Sequence, residues 1–196
     1  MLTKIATSLT RRLQRKGVVS NEAEDIYVYG FELLVSFVFS TTLILTLGWI
    51  LDAVLETFCF LGVFILLRSF TGGYHANKYW QCTAITLSVY TLVMMLSKNF
   101  QLNIMFYELL FVVGLIVIII MAPIENCNKP LSNTEKEKHK RVSAILFVVF
   151  CLLSLLCYNN HPSLSASIFY ALIVDLLMML ISVATQQLIL KSLKEK

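Results

Sequence analysis

Six runs of apolar side chains, each carrying little or no charge, dominate this chain and leave few folds open to it. They lie at about 29–51, 53–67, 82–98, 103–122, 142–158 and 165–190. A helix needs about 20 predominantly apolar residues to cross a hydrocarbon core of about 30 Å. The first and fourth runs meet that length outright, whereas 53–67 and 82–98 are short and must borrow flanking residues. Only 14% of the 196 residues are charged, 58% are hydrophobic, and the mean hydropathy is +0.77. A soluble domain carries about 25% charged residues. The runs are continuous rather than alternating, which argues against a transmembrane β-barrel. The expected fold is therefore all-α: a polytopic membrane protein of about six transmembrane helices, forming one membrane domain over residues 1–196.

The segment before the first run has its own periodicity. Leu2, Ile5, Leu9 and Leu13 recur at helical spacing among Lys4, Arg11, Arg12, Arg15 and Lys16. No compact apolar region and small-residue cleavage site follow, so a signal peptide is not expected. The pattern over 1–20 predicts a basic amphipathic helix lying on the bilayer surface.

The cations also predict orientation, because short loops rich in Lys and Arg stay cytoplasmic. With both termini inside, residues 1–25, 68–82, 123–141 and the C-terminal tail hold 15 of the 16 Lys and Arg residues; only Lys98 falls outside. The excess of positive charge thus belongs to a membrane surface and gives no reason to invoke nucleic acid. Asn21 with Glu24, and Ser132 with Glu135, have the spacing of capping boxes and predict helix starts at those points.

One stretch breaks the apolar pattern with chemistry-bearing groups: "RSFTGGYHANKYWQC", residues 68–82, expected as a loop at the cytoplasmic face. Gly72 and Gly73 can end a helix and turn the chain back. His75 and Cys82 follow, and an imidazole can convert a neighbouring thiol into the thiolate nucleophile. Seven residues of straight helix separate two side chains by roughly 10 Å of rise. The pair could therefore meet only across a loop, with Cys82 near the first turn of the third span, where the helix N-terminus favours an anion. A membrane cysteine is usually a small packing residue and an interfacial histidine usually solvated, so the pair alone is a weak signal. Cys59, Cys151 and Cys157 read as packing residues, Cys127 as a free thiol, and His139 and His161 as solvated. No spacing resembles a metal site, and no cofactor motif is present. Asp175, well inside the sixth run, is either a structural polar contact or a functional acid.

The block "RSFTGGYHA", the cysteine seven residues after its histidine, and "APIENCNKPL" at 122–131 resemble the AgrB (accessory gene regulator B) family of bacterial membrane endopeptidases. The resemblance implies a cysteine endopeptidase that removes the C-terminal tail of an autoinducing (AgrD-like) peptide precursor for quorum sensing. It further implies closure of the remaining peptide as a thiolactone or lactone. Carried over by motif, Cys82 is the nucleophile and His75 its general base. Arg68, Gly72, Gly73 and Lys129 are supporting or substrate-binding positions, and Asn77 and Glu125 are candidates for an open third role. A homodimer is compatible with the resemblance; the sequence itself does not show one. The competing expectation is a non-catalytic peptide exporter or a scaffold of a signalling complex.

Overall fold

The computed structural model describes residues 2–18, 20, 23–72, 79–124 and 132–194, which form seven helices. They are α1 (Leu2–Arg15), α2 (Glu24–Ile50), α3 (Val54–Thr71), α4 (Tyr79–Asn99), α5 (Ile104–Met121), α6 (Asn133–Cys157) and α7 (Pro162–Lys194). Six of them, α2 to α7, are long and apolar enough to cross a membrane. The protein is an all-α, polytopic membrane protein, as the apolar runs require.

Burial sorts the helices. Within the membrane-crossing stretch of α7, 44% of residues are buried, against 11% for α2 and 17% for α5. α7 is thus the central post, in contact with α3, α4, α5 and α6, while α2 and α5 present apolar faces outward. Phe60, Leu67, Tyr90, Met94, Phe147 and Leu172 fill the centre. In lipid the solvent is as apolar as these side chains, so close packing and interhelical hydrogen bonds must hold the bundle. Both are present. Thr57 Oγ1 and Tyr90 Oη lie 2.7 Å apart between α3 and α4. Ser154 and Ser165 exchange hydroxyl-to-carbonyl bonds of 2.8 and 2.7 Å between α6 and α7. Gly114 lets α5 approach α6, since a Cβ there would collide with the Phe147 ring.

The N-terminal helix has the low burial expected of an interfacial helix, and the face it packs on the bundle carries small residues. Ala6 and Thr10 are fully buried as α1 packs on α2, whereas Ile5 remains 43% exposed. The small residues give close contact between helices. Lys4, Arg11, Arg12 and Arg15 are exposed, as an interfacial helix requires.

The helix starts divide. Ser132 caps α6 as expected: its Oγ accepts from the Glu135 N–H at 3.3 Å, and Glu135 Oε2 accepts from the Ser132 N–H at 2.9 Å. α2 instead begins at Glu24 after Ala23, with no side-chain cap. Glu24 is engaged elsewhere, because its Oε2 accepts from Gln14 Nε2 of α1 at 3.1 Å. Asn21 lies outside the described residues.

Both ends of the expected loop 68–82 are helical. α3 continues past 67 to Thr71, and α4 has already begun at Tyr79. The interruption in apolar character is therefore partly built into helix ends, which places Arg68 and Cys82 on fixed backbone.

Candidate functional site

The site is assembled where the end of α3, the start of α4, the segment after α5 and the middle of α7 converge. Its pivot is Gly72, the residue that follows α3. Its backbone sits at φ +74°, ψ −157°, a region open essentially to glycine alone. The Gly72 N–H closes the helix on the Arg68 carbonyl at 3.1 Å. The next residue to meet it is remote in sequence. Gly72 forms an isolated parallel bridge with Ile124, whose N–H donates to the Thr71 carbonyl at 2.8 Å. A Cβ on Gly72 would collide with the Ile124 carbonyl oxygen. The motifs beginning at Arg68 and Ala122, 54 positions apart in the chain, are thus joined by backbone.

Arg68 lies in the last turn of α3, half-buried, with its guanidinium carbon 5.4 Å from the centre of the Phe64 ring. It is within electrostatic reach of Asp175 and of Cys82. Asp175, on α7, is fully buried. The Thr71 hydroxyl, also fully buried, donates to Asp175 Oδ2 at 3.2 Å. Asp175 Oδ1 is buried and makes no hydrogen bond among the described residues. At 1.5 Å of rise per residue, Arg68 is about 20 Å along α3 and Asp175 about 20 Å along α7, so they share a level inside the bundle.

Cys82 is the fourth residue of α4, half-exposed and free of any disulfide. Its carbonyl accepts from Thr86 Oγ1 at 2.9 Å, and the neighbouring Thr83 hydroxyl lies 2.8 Å from Ser40 Oγ of α2. The first turn of α4 is thereby tied to α2. The cysteine thus sits in the first turn of α4.

Of the residues singled out by sequence, Arg68, Gly72 and Cys82 converge here. His75, Gly73 and Lys129 lie outside the described residues, as do Asn77, Glu125 and Cys127. Gly72 has its N–H committed to the end of α3. Two expectations need correcting or completing. His139, expected to be solvated, is half-buried and packs edge-on against the Phe70 ring at 5.3 Å between centres. Asp175 and Thr71 join the same cluster as Arg68. The signal available in the sequence was the acid itself, rare inside an apolar run; nothing local pointed to Thr71. Among the described residues no three His, Cys, Asp or Glu side chains group as metal ligands.

The family description "Accessory gene regulator B" matches residues 3–183. An AgrB-like protein 2 of Clostridium perfringens strain 13 is 25% identical over 185 residues, covering 88% of this chain and 86% of the relative. An AgrB-like protein of Clostridium perfringens strain SM101 is 22% identical, covering 82% and 80%. A third, from Halalkalibacterium halodurans, is 24% identical, covering 80% and 78%. No solved structure matches the chain.

Proposed function

Because the chain belongs to the accessory gene regulator B family, we propose that it is a membrane cysteine endopeptidase that trims and cyclises an autoinducing peptide precursor at the cytoplasmic face. The observation that carries this reading is the placement of Cys82. A half-exposed, unpaired thiol stands in the first turn of a membrane-crossing helix, with the Arg68 cation in electrostatic reach. The thiolate of such a cysteine is the nucleophilic form.

In the reaction, the Cys82 thiolate attacks the carbonyl that joins the future ring to the tail. His75 takes the thiol proton beforehand and returns it to the leaving amine, so one imidazole serves as base and then acid. The thioester that remains on Cys82 is opened by a cysteine or serine of the peptide, and ring closure regenerates the thiol. Exchange of one thioester for another keeps the bond energy, and exclusion of water at the membrane surface favours ring closure over hydrolysis. The basic segments, Lys129 among them, attract an acidic precursor tail, with electrostatics serving encounter more than affinity.

Co-expression with a tagged cognate precursor, followed by mass spectrometry, tests the reading. Wild-type protein yields a cleaved product lighter by one water than the linear peptide, and Cys82→Ala and His75→Ala leave the precursor whole. Cleavage by Cys82→Ala equal to wild type would sink the reading and favour an exporter or scaffold. A linear product from wild type would make the protein a simple hydrolase.

A further inference from the structure

α2 is longer than the bundle it enters. It runs in the same direction as α4, and their C-terminal ends meet where Lys98 Nζ donates to the Leu51 carbonyl. Nearer the other end, Ser40 Oγ of α2 lies 2.8 Å from Thr83 Oγ1 of α4. At 1.5 Å of rise per residue, Ser40 is about 24 Å along α2, whereas Thr83 is only about 6 Å along α4. Roughly the first twelve residues of α2 therefore precede the level at which α4 begins.

What packs on that overhang is α1. Gln14 Nε2 donates to Glu24 Oε2 at 3.1 Å, and Ala6 and Thr10 are fully buried in the contact. The two form a helical hairpin at the end of the bundle that holds Gly72 and Cys82, and its arms differ in chemistry. On the α2 arm Ile26, Leu33, Leu34 and Phe37 are exposed, and this apolar surface runs on into Val38 and Phe39. On the α1 arm Lys4, Arg11, Arg12 and Arg15 line an open groove of about 500 Å³. α1 has no acidic residue, so its four cations suit an anionic partner.

We infer that this hairpin is a docking surface for anionic phospholipid headgroups in the adjoining leaflet. The α2 arm enters the acyl boundary, and the α1 cations gather lipid phosphates along the groove. An apolar face beside a basic one is how a helix holds to an anionic interface. The acidic tail of a peptide is the competing anionic partner. Lipid is favoured because the exposed apolar face continues into the membrane-crossing part of α2, a surface that a charged tail would leave bare. The chemistry at Cys82 does not enter.

Hydrogen exchange of the full chain in lipid nanodiscs tests this. Discs of phosphatidylcholine alone are compared with discs that also contain phosphatidylglycerol, following the α1 amides with α7 as control. Exchange in α1 is expected to slow about tenfold in the anionic discs. High salt is expected to restore the phosphatidylcholine rate, because exposed charges are screened. Combined Lys4→Gln, Arg11→Gln, Arg12→Gln and Arg15→Gln should abolish the difference. Combined Lys136→Gln, Lys138→Gln and Lys140→Gln, on α6, should keep it. Equal α1 exchange in both discs, or slowing that survives high salt, overturns the inference. So does slowing that the α1 variant retains or the α6 variant loses, since the lipid then acts elsewhere or through overall charge. Slowing that appears only when an acidic-tailed peptide is added overturns it in favour of a peptide site. Should the α1 variant lose its helix in both discs, the salt response of the wild type decides.

Discussion

Gly72 carries two constraints at once, and either would exclude a larger residue. Its φ of +74° and ψ of −157° are costly for any side chain, and the Ile124 carbonyl occupies the space a Cβ would need. The backbone term alone is of order 1–3 kcal/mol. Gly72→Ala is therefore expected to lower the thermal midpoint in detergent and to abolish precursor cleavage, as read by unfolding and by product mass. An alanine variant with wild-type stability would contradict the geometry. Lys98 is the counterpart at the other end of the bundle. Its ammonium donates to the Leu51 and Asp52 carbonyls of the α2–α3 turn, at 2.5 and 3.1 Å, where Asp52 has a φ of +49°. The lone cation assigned to the outer side by charge counting thus serves a turn there.

Among the elements, α3 shows where sequence reading succeeds and where it stops. The glycine pair announces the end of the helix, and the helix does end at Thr71. Hydropathy falls at Arg68, which suggested an end at 67, yet the helix continues because the guanidinium lies over Phe64 and within reach of Asp175. That compensation joins residues more than 100 positions apart, and no local pattern encodes it. The six apolar runs were legible because lipid admits no other arrangement of backbone. The tie between Gly72 and Ile124 was not, since a single backbone bridge leaves no periodicity. Packing of α5 offers a check at this scale. Gly114→Leu places bulk against Phe147, and overpacking typically costs about 1–3 kcal/mol. The expected outcome is a lower midpoint with α6 loosened; retention of wild-type stability would mean that α5 can shift without loss.

At the scale of the whole molecule, the distribution of charge and the site belong to one design. The start of α2, the Gly72 turn, the start of α4 and the basic first turns of α6 lie at the same end of the bundle, the end we propose faces the cytoplasm. Asn160→Cys, in the exposed turn between α6 and α7, should react with a membrane-impermeant maleimide in intact cells. Lys138→Cys, exposed on α6, should react only after permeabilisation, and the reverse pattern would invert the topology. The account turns, finally, on a covalent bond. Purified protein is mixed with a synthetic precursor, quenched in acid within a turnover, and its intact mass and peptide map are recorded. The account predicts a hydroxylamine-sensitive adduct of the ring-bearing peptide on Cys82, with the tail released in equal amount. Tail release by the Cys82→Ala protein, or release by wild type with no adduct at Cys82 at any time, would contradict it.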